Sequence, residues 1–178
     1  MKVTFARAFA PITKQQYEEL ELQLRVTFPS DYKQFLLNHN GGYFKDFAVY
    51  PFLDRCSFAS YGMVRSLFGI NTGQRCSEIS HNFKFNARRL PSNFLAIGDD
   101  YFGNLICLTI QKDNFGNIYH WNYEGELEAG YDSADGSTNS NVCLIADSFA
   151  QFLECLLPLG IDEDPAEKWK LEFAGKDP

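Results

Sequence analysis

Residues 24–42 read LRVTFPSDYKQFLLNHNGG. Pro29 interrupts whatever helix precedes it, because proline lacks the amide and clashes with the preceding turn. Ser30 is placed to cap a new helix. Tyr32, Phe35, Leu36 and His39 then recur at i, i+3, i+4 and i+7, the spacing of one apolar helix face. Asn40-Gly41-Gly42 stops that helix, since glycine readily takes the left-handed backbone a helix C-terminus uses. His39, near the same end, is expected to bond the last carbonyls. Beyond Gly42 the texture becomes aromatic and β-branched. The stretch therefore predicts helix, corner and strand in immediate succession.

Upstream, Thr13 to about Arg25 predicts a first helix. Thr13 with Gln16 forms a capping-box pattern, and Tyr17, Leu20 and Leu24 share a face. Downstream, YFKDFAVYPF (43–52) and MVRSLFGIN (63–71) read as short strands. GQRCSEISHNFKF (73–85) predicts a short third helix with Cys76, Ile79 and Phe83 turned inward. NLICLTI (104–110) is so continuously apolar that both faces of its strand should be covered. QKDNFGN is a turn and IYHWNYE (118–124) an alternating strand, so the two make a hairpin. A polar loop, GELEAGYDSADGSTNSN (125–141), leads to a strand, VCLIA (142–146). Ser148 with Gln151 opens a last helix whose stripe is Phe149, Phe152, Leu153, Leu156 and Leu157, ended by Pro158. Trp169 and Phe173 suggest that the charged tail docks on the body. The order predicts an α+β fold: a mainly antiparallel sheet with helices before and after it. The 178 residues are expected to form one domain.

Composition narrows the function. Aromatics reach 16 %, with 17 phenylalanines, which predicts a core built from rings with some left for a surface. The net charge of −7 argues against nucleic acid and anionic membrane, which need clustered Lys and Arg, and suits a basic protein partner. Five scattered cysteines without a C-x-x-C suit free thiols in a reducing, cytoplasmic setting. Metal-hydrolase, phosphate-loop, dinucleotide and nucleophile-elbow motifs are absent from the sequence. Cys107 and Cys155 fall on predicted core faces, whereas Cys56 and Cys76 each follow an arginine without a histidine in sight. His81 is expected to be exposed and His120 to pack across strands. No catalytic residue, metal site or cofactor is assigned. The adjacent Asp99 and Asp100 are the one acidic pair that could serve an enzyme with a divalent metal. A turn made by Asp and Gly explains them as well.

Five segments, in order, resemble the SUKH superfamily of Smi/Knr-type domains: LRVTFPSDYKQFLLNHNGG, LFGIN (67–71), LPSNFLAIGDDYFGNLICLTI (90–110), GNIYHWNYE (116–124) and IADSFAQFLECL (145–156). The resemblance spans about residues 13–157 and leaves 158–178 as a charged extension. Arg25 stands where glycine is common, Ala96 where proline is usual, and Tyr101-Phe102 where the family's turn has small residues. The resemblance implies a non-catalytic α+β domain. It also implies a cytoplasmic immunity protein that neutralises a polymorphic or contact-dependent bacterial toxin, often a nuclease. The alternative is a regulatory interaction module of the same fold. On this reading the partner-facing set is Tyr43, Phe44, Asp99, Asp100, Tyr101, Phe102, Glu124, Glu126 and Glu128, rings beside acids in loops. The toxin is expected to be basic, which would favour fast association with an acidic partner.

Overall fold

The Asn40-Gly41-Gly42 corner forms as its sequence predicts, and three segments converge on it. The computed structural model describes residues 2–53, 61–112, 114–123, 141–160, 163–165 and 167–168. Within them the elements are β1 (Phe5–Ala8), α1 (Lys14–Leu24), α2 (Ser30–Asn38), β2 (Gly42–Pro51), β3 (Tyr61–Leu67), a 3-10 turn (Arg75–Ser77), α3 (Ile79–Phe85), β4 (Phe94–Asp99), β5 (Leu105–Thr109), β6 (Ile118–Trp121), β7 (Val142–Ala146), α4 (Phe149–Cys155) and β8 (Leu157–Leu159). The strands pair antiparallel in chain order from β1 to β7, with β8 added beside β2. Bulges interrupt the register in several pairs, for instance between Ala96 and Gly98 of β4, and bulges strengthen twist. The sheet curls far enough that the Leu53 amide donates to the Leu144 carbonyl of β7 at 2.9 Å.

At the corner, Asn40 is left-handed at φ 51 and fully buried. Its side-chain amide donates to the Ala10 and Ile70 carbonyls, both at 2.8 Å, and its side-chain oxygen accepts from the Ile70 amide at 2.9 Å. One side chain thus joins the segment after β1, the end of α2 and the segment after β3. Gly41, at φ 78, lies so close to β3 that a Cβ would sit 2.4 Å from the Leu67 carbonyl oxygen.

Helix starts follow their sequence signals in part. Thr13 and Gln16 close a reciprocal capping box. Arg25 takes the left-handed position, φ 58, that caps α1, a conformation glycine adopts more readily. Ser148 accepts from the Gln151 amide as expected. Ser30 does not cap α2; Pro29 holds the cap position without a side-chain bond. Asp31 is the more important residue there. One of its oxygens accepts from the Tyr32 amide at 2.8 Å and the other from the Ala150 amide at 2.9 Å, in the first turn of α4. It satisfies orphan donors of two helices and locks them together. Between those helices Phe149 packs against Tyr32 and Phe35, both at 4.8 Å between ring centroids.

Several expectations are corrected. Leu157–Leu159 is a strand, not the end of the last helix: α4 stops at Cys155, and Pro158 is tolerated because it lies in a short outer strand. Cys76 is exposed: it lies in the 3-10 turn before α3, where Ser77 is the residue turned inward. The His39 ring packs on Phe5 and Phe35. Cys76, Cys107 and Cys155 are free thiols, but Cys143 is disulfide-bonded. Pairing depends on how Cβ atoms approach in space, which chain spacing does not show. Cys56, Trp169 and Phe173 lie outside the described residues. β5 is buried at every position, as its composition predicts.

His120 is buried across from Tyr50, whose hydroxyl lies 2.7 Å from the imidazole Nδ1. Burial lowers its pKa from 6.5 to about 4, despite the opposing field of Asp100. Between those values the unfolded chain binds a proton that the folded chain refuses. Stability is therefore full above pH 6.5 and falls by about 3 kcal/mol as pH drops to about 4. Unfolding midpoints measured across that window should show this slope, and His120→Gln should flatten it.

Candidate functional site

The turn between β4 and β5 sets two rings into solvent and explains how it can hold them there. Asp100 is 4 % exposed. One carboxylate oxygen accepts from the Phe102 amide at 2.7 Å and the Asn104 amide at 2.9 Å, and the other accepts from the Asn104 side chain at 2.6 Å. The Asp100 amide donates to the Asn104 carbonyl at 3.1 Å. This is an Asp wrapping its own turn, the local bonding that makes Asp a turn residue. Gly103, at φ 88, supplies the reversal. The result is a turn whose backbone is fixed while Tyr101 and Phe102 are 51 % and 69 % exposed.

Asp99 faces a different duty. It pairs with Arg65, through Nη2 and through Nε at 3.4 Å, and accepts from the Ser66 hydroxyl at 2.5 Å. The bond to Asp99 raises the Arg65 pKa further, so the guanidinium stays charged. That guanidinium stands 6.0 Å from the ring centres of both Tyr43 and Tyr101. Tyr101 also meets Phe47 edge-on at 5.3 Å. Tyr43 is half-buried, its hydroxyl 2.9 Å from that of Ser77. On the other side of the turn, Asn104 accepts from the Tyr123 amide at 2.9 Å. Arg89 then lies 4.9 Å from the Trp121 ring centre and 4.8 Å from that of Tyr123. Each of the two arginines thus lies near two rings, and the Arg65 pair includes the exposed Tyr101.

Of the residues singled out from sequence, Tyr43, Asp99, Tyr101 and Phe102 come together here. Phe44 does not: it is 6 % exposed and stacks on Phe5 at 4.7 Å in the core, because neighbours on a strand point to opposite faces. Asp100 is placed as scaffold rather than surface, because its oxygens are used up inside the turn. Glu124, Glu126 and Glu128 lie outside the described residues. Sequence reading missed Phe47, Arg65, Arg89 and Tyr123. Arg65 carried a weak signal as a lone cation in an apolar strand, while the stacking of Arg89 depends wholly on the fold. The thiols of buried Cys107 and half-buried Cys155 have pKa values pushed up by loss of solvent and are poor nucleophiles at neutral pH. Among the described residues no group of three or more metal-ligating side chains converges, and no helix is long and apolar enough to cross a membrane.

Residues 11–155 match the model of the SMI1/KNR4 family, SUKH-1. Over 165 residues the chain is 26 % identical to the SPbeta prophage-derived uncharacterized protein YokK of Bacillus subtilis strain 168, covering 85 % of this chain and 78 % of that protein. A shorter segment of 31 residues is 55 % identical to the uncharacterized protein YnaB of the same organism, 17 % of this chain and 22 % of that one.

Asp100→Ala leaves two backbone amides and the Asn104 side chain without their acceptor. It should cost about 2–3 kcal/mol in urea unfolding. Phe102→Ser, at an exposed position on the same turn, should stay within about 0.5 kcal/mol of the parent protein.

Proposed function

The chain belongs to the SMI1/KNR4 (SUKH-1) family, and from that premise we propose that it is a cytoplasmic immunity protein that binds and neutralises a cognate bacterial toxin. The family supplies the class, one of generally non-catalytic immunity and regulatory domains. The observation that carries the reading to this chain is the exposed Tyr101-Phe102 pair on a turn rigidified by Asp100. Large rings that are already positioned lose little entropy on binding, which is why aromatic and arginine residues dominate binding hot spots. Tyr43, Phe47 and Arg65 form the supporting rim on one side, and Tyr123 on the other. The net charge of −7 favours a toxin with a basic surface, through faster encounter.

The test is co-expression with the product of the adjacent gene. The protein should co-purify with it and restore growth to cells that make it. Tyr101→Ala with Phe102→Ala should weaken the complex by about 2–4 kcal/mol, a thirty-fold to roughly thousand-fold rise in Kd, while the unfolding midpoint stays close to that of the parent. A partner whose toxicity is unaffected by this protein would point instead to a regulatory interaction module. Full affinity in the double variant would place the interface elsewhere.

A further inference from the structure

A second surface carries the opposite charge to the rest of the molecule. Between residues 75 and 89 the chain has four basic residues, Arg75, Lys84, Arg88 and Arg89, and one acid, Glu78, within a protein of net charge −7. Glu78 is engaged by the preceding turn. Its carboxylate accepts from the Asn71 amide at 3.0 Å, from the Thr72 amide at 2.5 Å and from the Thr72 hydroxyl at 2.7 Å, so it is spent on closing the preceding turn. The inward face of α3 is fixed by Ile79, which is fully buried, and by Asn82, whose amide donates to the Cys76 and Glu78 carbonyls. The outward face presents Phe85, 65 % exposed, with the His81 ring one turn back at 5.8 Å between centroids. Arg75 Nε donates to His81 Nδ1 at 3.3 Å, which holds the arginine beside the rings. Arg75, Lys84 and Arg88 are all exposed.

We propose that Arg75, His81, Lys84, Phe85 and Arg88 form a second docking surface, and that its occupant is an acidic polypeptide segment bearing an apolar side chain. Charge complementarity selects the acid: Arg75 is held at His81, Lys84 and Arg88 lie within three residues of the exposed Phe85 in the chain, and the nearest carboxylate in sequence is engaged by Asn71 and Thr72. The ring selects the apolar residue, since Phe85 and His81 offer a face that only a hydrophobic partner benefits from covering. A nucleic acid fits less well. Its phosphates are bound by many spaced cations, whereas this surface carries three exposed ones and belongs to a body of strongly negative charge. The five residues of this surface are distinct from those of the Tyr101-Phe102 site, and the proposal stands without the immunity reading.

Selection of random peptides on the full-length protein, with the Lys84→Glu/Arg88→Glu protein as counter-selection, tests this directly. The peptides recovered should place Asp or Glu beside an aromatic or aliphatic residue. Their affinity should drop at least about tenfold with Phe85→Ser or with the charge reversals, and fall as salt is raised. Tyr101→Ala/Phe102→Ala should leave it unchanged, which separates this surface from the proposed toxin site. All these substitutions fall on exposed side chains, and matching unfolding midpoints confirm that the fold is retained. Recovery of neutral or basic peptides, no enrichment over the charge-reversed protein, or displacement by an equal concentration of single-stranded oligonucleotide would each overturn the proposal.

Discussion

The side chain of Asn40 is the contact on which the rest of the architecture hangs. It is fully buried and makes three hydrogen bonds, to Ala10 and Ile70, across thirty residues of sequence in each direction. A buried amide is costly unless its partners are met, and here each partner is a backbone group that would itself be orphaned. The left-handed backbone at Asn40 and Gly41 turns the chain from α2 into β2 with no intervening loop. Gly41 then allows β2 to approach the end of β3 more closely than any side chain would permit. Register in the first half of the sheet follows from that corner.

The second half is tied on by Asp31, which lies in the first turn of α2 and accepts from the first turn of α4. The helices meet through Tyr32, Phe35 and Phe149, so the ring-rich composition is spent mainly on this contact and the core beneath it. β4 then runs through the centre of the sheet order, and its end carries the functional turn. Asp99 and Asp100 divide the work there. Asp99 anchors the strand end to Arg65, and Asp100 shapes the turn that lifts two rings into solvent. Adjacent carboxylates that look like a catalytic pair are thus both consumed by structure.

Much of this was legible in the sequence because it rests on local chemistry. The apolar faces of α1 and α2, the Thr13 and Ser148 caps, the Asn40-Gly41-Gly42 stop, the fully covered β5 and the β5–β6 hairpin all follow from periodicity or turn residues. β1 and β8 were not legible, because Phe5–Ala8 and Leu157–Leu159 are too short to show a period and become strands only by pairing with opposite ends of one edge of β2. Phe44 was misplaced for a related reason. Side-chain direction on a strand alternates, and one residue of register separates the rim position of Tyr43 from the core position of Phe44. The Arg65 and Arg89 stacks and the Asp31–Ala150 bond were invisible because each joins residues far apart in the chain. Cys143 shows the same limit, since a disulfide depends on which Cβ atoms approach in space.

A fold held at one corner leaves its surface turns free to differ, and this chain uses that freedom at Tyr101-Phe102 and on α3. The most direct measurement of that corner is the stability of Asn40→Gly by denaturant unfolding. Glycine suits the φ of 51 and isolates the loss of the three side-chain hydrogen bonds. The structure predicts a loss of about 2–4 kcal/mol, with the hydrogen-exchange protection of the Ile70 amide lost as well. A variant within about 0.5 kcal/mol of the parent, with Ile70 still protected, would contradict the central role given to Asn40.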